Sequence, residues 1–515
     1  MRRQPKNNSN TNSKSNTTNK YGVPEPSGRA LPLIGHLHLL SREVPIARIL
    51  GAMADEYGPI YCLRFGKHRN LVLSSWELVK ECFTTNDRFF ADRPNVTVGK
   101  YLFYNYASFA LSPYGKYWRD VRKIANFHLL SSQRVESLEH VRVSEINSFT
   151  KGLFRLTNCT NISHHDQEVK IVPLGELLEQ LMFNILVRLI TGKRFAALGD
   201  QETTDGGEAK RLMKAIKEAT YVSGVFPVSD VIPWLECLDI HGHLRSMKRI
   251  FKEIDSVLGK WLEQHRSSVS TKDGESGLMG LMLKNIEEND AMLSGYSRDT
   301  VIKATALSLI ITGVDSTSLT IIWVVSLLLN NPSVMKAAQE EMDTLVGRDR
   351  WVQESDLNDL KFLQAIVKES LRLYPPGPIL PREASEDGCI GSHHVPKGTR
   401  LIINLWKMHR DPRVWDDPCE FRPERFMTTN AHMDFKGQYF EYIPFSSGRR
   451  SCPGFAQGLP MVQLVLARLV QGFELKTKDG MPVDMSEGPS IALEKVKPVE
   501  AVLSPRLPFK LYECL

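Results

Sequence analysis

The sequence predicts a mainly α-helical protein with a minor β region, folded as one large domain, and three observations point there. From about Trp76 to Asn331 the chain reads as mainly helical. Ile60 to Phe65 and Asn70 to Ser74 instead alternate or cluster as strands around the turn-like GKHRN, a hairpin signature. No segment repeats at a fixed period, which removes solenoids and propellers.

A chain of 515 residues with 42% apolar and 24% charged residues has the material for a substantial core. Its elements can be justified in order. Residues 1–20 hold Arg2, Arg3, Lys6, Lys14 and Lys20, no acid and almost nothing able to offset chain ordering, so they are expected to be a disordered polar tail. Residues 21–32 form a proline-rich hinge, where Pro24, Pro26 and Pro32 impose extended backbone. The packed body runs over residues 33–515. Within it KDGESG, near residue 275, is the clearest internal break. Asn331 and Pro332 start a helix that closes at Gly347. Beyond Tyr374 proline and glycine become frequent, and loops and short strands take over until GLPMVQLVLARLVQGF, which reads as an amphipathic helix.

The net charge of +6 is small for this length, and no basic block interleaved with aromatics marks a nucleic-acid surface, so no nucleic-acid partner is expected. The eight cysteines are scattered without the spacing of a disulfide scaffold. The apolar run from Ser316 to Leu329 is too short for a bilayer and Asp315 cuts it off from the apolar residues upstream, so it reads as a buried helix. Cys389 with His393 and His394, and His164 with His165, lack a second matching pair of metal ligands, and surface loops are their expected context.

Four motifs carry chemistry. In PFSSGRRSCPG, residues 444–454, a cysteine sits at the mouth of a helix whose amides can stabilise thiolate charge, while Gly448 and Gly454 let the backbone bend close to something bulky. In KESLRLYPP, Glu369 and Arg372 are adjacent on a helix face, and FRPERF brings Arg425. WRDVR places Trp118 and Arg122 one helical turn apart. LIITGVDSTSLTIIW interrupts an apolar helix with a glycine, an acid and hydroxyls; Ser308, Thr312, Ser316 and Thr320 follow at i+4 intervals as one stripe. Hydroxyls on a buried helix also bond back to i−4 carbonyls, the reading that suits Ser308, Ser318 and Thr320 best.

FSSGRRSCPG resembles the haem-binding loop F-x-x-G-x-R-x-C-x-G of the cytochromes P-450, the haem-thiolate monooxygenases, and the other motifs stand in the family's order. The resemblance implies that family's fold, a single large domain enclosing haem b (iron protoporphyrin IX). It implies that Cys452 is the thiolate and metal ligand, that Phe445 packs near the sulfur, and that Arg450, Trp118, Arg122 and Arg382 hold haem propionates. Glu369, Arg372 and Arg425 resemble the buried structural triad. TGVDST resembles the oxygen-activation motif, which implies that Gly313 admits a diatomic molecule and that Asp315 and Ser316 deliver protons. Ser316 stands for the usual threonine there and Thr312 for a small residue, so Thr317 is a second candidate for the hydroxyl role.

By the same resemblance the partners are an NADPH-haemoprotein reductase, O2, a small apolar substrate and a membrane surface. Arg119 and Lys123 on the same helix suit either of two readings, contact with an acidic electron donor or an ordinary solvated helix face. The implied location is the cytosolic face of the endoplasmic reticulum membrane. The family's usual N-terminal anchor is not in this chain, so a soluble or truncated form is the alternative expectation. HLHLL, CFTTND, DVIPWL, DSTS and DMSEGPSIAL are similar to the plant branch containing homoterpene synthases, which cleave tertiary terpene alcohols such as nerolidol or geranyllinalool oxidatively. That branch also oxidises flavonoids, coumarins, alkaloids and other terpenoids, and a non-catalytic haem carrier or sensor is the reading from another class. Expected pocket walls are Tyr101 to Phe109, Val225 and Phe226, Leu309 to Thr317, Pro378 to Leu380, and Pro489 to Leu493.

Overall fold

The structure, a computed structural model, describes residues 17–18, 22–26, 30–40, 43–158, 170–194, 206–224, 227–232, 235–236, 239, 241–268 and 277–515. A four-stranded sheet near the N-terminus is built from β1 (Ile60–Phe65), β2 (His68–Leu73), β3 (Ile379–Glu383) and β4 (Arg400–Asn404), in the order β1-β2-β4-β3. β1 and β2 form the expected antiparallel hairpin, but with Phe65 opposite His68 the turn is only Gly66 and Lys67, so β2 begins two residues earlier than the sequence reading placed it. Gly66, at φ +58°, makes so tight a reversal affordable. β2 pairs parallel with β4, which brings the C-terminal half back onto the hairpin.

Within the segment expected to be disordered, Thr17–Thr18 pairs with Pro24–Glu25, a local departure from that reading. The rest of residues 1–20 lies outside the described residues, as do residues 272–276 of KDGESG.

Six helices position the site: α1 (Lys116–Ala125), α2 (Leu174–Thr191), α3 (Gly206–Ser223), α4 (Arg298–Asn330), α5 (Lys361–Leu373) and α6 (Phe455–Gly472). α4 is apolar on every side and long enough to cross a membrane, yet it lies mostly inside the protein, packed against α2, α5 and α6. Its start is fixed by Ser297, whose hydroxyl accepts from the Thr300 amide at 3.2 Å, and its end by Asn331 and Pro332, which open the next helix. Gly347 at φ +85° follows that helix, as expected. One apolar core joins these helices, and smaller clusters lie under the sheet. CIGSHH forms a two-stranded hairpin in which Cys389 and His394 are opposite one another, rather than the irregular loop expected.

Candidate active site

α6 starts at Phe455, three residues before the sequence reading, because Gly454 serves as its N-cap. The shift matters for Cys452. The first amides of a helix have no partner inside it, and those of Gly454 and Phe455 are directed at the Cys452 sulfur. Burial pushes this thiol up from its ordinary range, while the two amides and the nearby Arg122 charge pull the other way. The loop is held from behind: the Cys452 amide donates to the Phe445 carbonyl at 2.9 Å and the Ser451 amide to the Gly448 carbonyl at 3.0 Å. Gly448, at φ +69°, passes so close to Asp87 that a Cβ would stand 2.3 Å from its carboxylate oxygen. Gly454 is different: at φ −90° a Cβ would meet only the Cys452 sulfur, at 3.9 Å, so no contact within the protein demands glycine there.

Cys452 opens on a cavity of about 350 Å³ lined by Phe445, Trp118, α4 and four arginines. Arg382 is buried and donates to the Pro381 carbonyl and Ser446 hydroxyl, at 2.9 and 3.2 Å. Arg450 donates to the carbonyls of Ala91, Phe109 and Ser112 and lies over the Trp118 ring, 4.6 Å from its centroid. Arg122 donates to the Ser451 carbonyl at 2.7 Å and flanks the same ring. Arg93 donates to the Pro381 carbonyl at 2.6 Å, and its Nε is buried without a partner. Among the described residues none of the four pairs with a carboxylate.

Burial therefore lowers the basicity of all four. Arg450 falls to about 9, with repulsion from Arg93 and Arg122 adding to burial; Arg93 falls to about 10, with Arg122 next; Arg122 falls by burial. Arg382 falls well below its ordinary range, through burial and then repulsion from Arg93 and Arg450. Four guanidiniums in contact with no carboxylate, beside a soft sulfur donor, fit a flat apolar group that carries carboxylates and a thiophilic metal. Haem is such a group.

Across the cavity stands the middle of α4. Thr312, Gly313, Ser316 and Thr317 all line the space over Cys452. Thr312 and Ser316 are exposed to it, whereas Thr317 is buried, turned toward Gly458 on α6. The Thr312 hydroxyl donates to the Ser308 carbonyl at 2.7 Å and that of Ser316 to the Thr312 carbonyl at 2.6 Å. Ser318 and Thr320 bond back in the same way, as the sequence suggested. Ser308 does not: its hydroxyl pairs with that of Ser108, on the loop before α1. Gly313 lines the cavity, but its missing side chain is also needed by a neighbour. A Cβ there would stand 2.8 Å from Leu186 Cδ1 on α2, so the glycine has a packing role beyond the oxygen-admitting one implied by resemblance. Asp315 points the other way and accepts a hydrogen bond from the Thr220 hydroxyl on α3. Burial raises its carboxyl to about 6, against the Thr220 hydrogen bond, which favours the ionised form.

A second, mostly apolar cavity of about 430 Å³ adjoins the first and shares Thr312 and Ser316 with it. Of the expected walls, Phe103, Phe109, Leu309, Ile311, Ile379, Leu380, Ile491 and Ala492 line one cavity or the other, as do Thr312, Gly313, Asp315, Ser316 and Thr317. Val225, Phe226, His164 and His165 lie outside the described residues.

The three triad residues come together behind the cysteine loop. Both Glu369 carboxylate oxygens accept from Arg372, at 2.7 and 2.8 Å, and one also accepts from Arg425 at 3.0 Å. All three are buried. Arg372 further donates to the carbonyls of His409 and Pro418. The His409 ring, buried and kept neutral by burial, accepts from the Ile443 amide at 3.1 Å, one residue before PFSSGRRSCPG.

Arg93, Leu186, Thr220 and His409 escaped the sequence reading. Each is a lone residue of a common type, and only the fold brings it to its partner. Arg119 and Lys123 line an open surface hollow with Trp118, Arg122 and Arg449, on the side of the cysteine loop.

The sequence model of the family described as Cytochrome P450 matches residues 24–500. Dimethylnonatriene synthase of Arabidopsis thaliana is 49% identical over 496 residues, covering 96% of this chain and 93% of that one. Xanthotoxin 5-hydroxylase of the same plant is 44% identical, covering 95% and 94%. Strychnine-10-hydroxylase of Strychnos nux-vomica is 43% identical, covering 96% and 93%. A zebra fish cytochrome P450 solved with progesterone superposes with a TM-score of 0.73 at 24% identity, over 90% of this chain and all of that one, a likeness of fold.

Proposed function

The chain belongs to the cytochrome P450 family, as a haem-dependent monooxygenase of plant type, and from that premise we propose that it oxidises a small terpenoid. The reaction we favour is oxidative C–C cleavage of a tertiary terpene alcohol, such as nerolidol or geranyllinalool, to a homoterpene. The observation that carries this reading is the second cavity. It is large enough for a branched hydrocarbon chain, walled mainly by apolar side chains, and meets the first at Thr312 and Ser316. The 49% identity to dimethylnonatriene synthase supports it. Hydroxylation of a flavonoid, coumarin or alkaloid is the second reading, favoured by relatives of 43–44% identity that are named for such reactions.

In this reading Cys452 would hold the haem iron through its sulfur, and Arg93, Arg122, Arg382 and Arg450 with Trp118 would hold the propionates. Bound haem supplies one-electron and oxygen chemistry, which thiolate ligation tunes toward O–O cleavage. The chain's own residues do the rest. Leu186, Leu309, Phe109 and Leu380 exclude water and orient the apolar substrate. Ser316 offers an oxygen lone pair to the cavity, its proton being committed to Thr312. The Asp315 carboxyl, oriented by Thr220, takes up and releases a proton near pH 6. We propose that electrons come from NADPH through a reductase, and that the protein works at the cytosolic face of the endoplasmic reticulum membrane, a placement that rests on the family resemblance. Flotation of the native protein tests that placement, and a fully soluble protein would defeat it.

The decisive experiment pairs the reduced, carbon-monoxide-bound spectrum with product analysis in the presence of reductase, NADPH and terpene alcohols. A thiolate spectrum that disappears in Cys452→Ala, with homoterpene formed by the native chain, is expected. Turnover of flavones, coumarins or alkaloids but of no terpene alcohol would replace the first reading by the second.

A further inference from the structure

We propose that Thr312 determines specificity by accepting a hydrogen bond from a hydroxyl group on the substrate, so that apolar molecules with a free OH bind in preference to the matching ethers and hydrocarbons. The proposal deepens the reading above and rests on it, since the molecule recognised is the substrate of the same site.

Thr312 stands where the two cavities meet. The residues lining both are Arg93, Ala110, Thr312, Ser316, Pro376 and Gly377, and only Thr312 and Ser316 bring hydroxyls. A backbone carbonyl can only accept, so the bonds from Thr312 to the Ser308 carbonyl and from Ser316 to the Thr312 carbonyl fix the direction of both hydroxyl protons. Each proton is turned back into the helix, and each oxygen keeps its lone pairs for the cavity. Close by, the Thr220 proton is committed to Asp315. The hydroxyls at this junction are therefore acceptors.

At these two hydroxyls a carbonyl or ether oxygen meets lone pair against lone pair, whereas a hydroxyl is matched; the donor that lines both cavities is the Arg93 guanidinium, which the reading above assigns to the propionates. The side chains nearby are mostly apolar, so a substrate OH left unpaired would bear its full desolvation cost. Thr312 also differs from Ser316 in its methyl group, which restricts χ1 and keeps the oxygen on the cavity side. As the residue standing where the motif has a small one, Thr312 adds both the oxygen and the methyl to the junction.

The test uses purified holoenzyme and substrate-binding difference spectra for two ligand pairs, a tertiary terpene alcohol with its methyl ether and a hydroxyflavone with its methyl ether. The variants are Thr312→Val, which keeps the shape and removes the oxygen, and Thr312→Ser, which keeps the oxygen. An unchanged thiolate spectrum in each variant certifies the fold. For Thr312→Val the hydroxyl ligand should lose about ten-fold in affinity, its methyl ether less than about two-fold, with Thr312→Ser close to the native value. Equal loss for both members of a pair, or no loss for either, overturns the proposal. If the terpene alcohol gives no spectrum with the native enzyme while the flavone pair shows the selective loss, the terpenoid reading falls and the role of Thr312 stands. If the terpene alcohol is turned over and Thr312→Val does not discriminate, Thr312 falls and the terpenoid reading stands.

Discussion

Asp315 was legible from its motif, but what sets its chemistry was not. Its partner Thr220 lies on a different helix, and nothing in the sequence near Thr220 distinguishes it from any other surface threonine. Burial raises the Asp315 carboxyl to about 6, so the acid is protonated below that pH and ionised above it. Proton-dependent coupling of oxygen use to product is expected to decline as pH rises through about 6, and Asp315→Asn should abolish that titration. Thr220 donates to the carboxylate and so favours ionisation; Thr220→Val should move the midpoint upward, and a midpoint that moves down would refute the pairing. The same shift has a stability sign. Because the folded state favours the protonated acid, Asp315 helps the fold below its ordinary pKa and that contribution is lost as pH rises through about 6. Asp315→Asn should therefore be stabilising at pH 7, by about 3 kcal/mol at most, measured by chemical denaturation at pH 7 against pH 4.

At the scale of elements, α4 and the motifs on α1 and α5 were legible because period and caps agree with burial. Helix starts were less so: α6 begins three residues early because Gly454 caps it, which is also what aims two amides at Cys452. The triad joins α5 to the turn carrying Arg425, and Glu369 is its hub, with both oxygens taken by arginines that are themselves buried. Glu369→Ala leaves Arg372 and Arg425 without their counter-charge and should cost roughly 3–5 kcal/mol of stability by denaturant titration. A loss below 1 kcal/mol would show the arginines satisfied by their carbonyl partners alone. Gly313 makes a second element-scale test, because its meaning in the sequence and in the packing differ. Gly313→Ala should crowd Leu186 and loosen α4 against α2 by about 1–3 kcal/mol, and shortening Leu186 to Ala in the same chain should recover part of that loss. Additive effects of the two changes would mean that the glycine serves the cavity rather than the helix contact.

For the whole molecule, mainly helical architecture with a small sheet was readable because long periodic segments dominate it, and the likeness to a solved P450 extends that to the fold. The resemblance brought Arg122, Arg382 and Arg450 together; what could not be read was that Arg93 joins them. They come from separate stretches of a chain whose overall charge is unremarkable, and only the parallel pairing of β2 with β4 and the packing of α1 on the cysteine loop bring them to one wall. Their depressed basicities mean that the protein alone tolerates them poorly: burial lowers all four, and repulsion from Arg93, Arg122 and Arg450 adds to it, which the Asp87 and Asp92 charges only partly offset. A group that binds the native state and neutralises them stabilises the fold by mass action, so stability and haem retention should separate on mutation. Arg382→Met is expected to speed haem transfer from the holoprotein to an excess acceptor by about ten-fold, as loss of one charge-assisted hydrogen bond implies, while leaving the urea midpoint of the haem-free protein unchanged or raised. Arg93→Leu should behave alike. A haem-free midpoint that falls in step with the faster transfer would show that these arginines hold the protein together first, and the cavity would then owe its charge to the fold rather than to the group it receives.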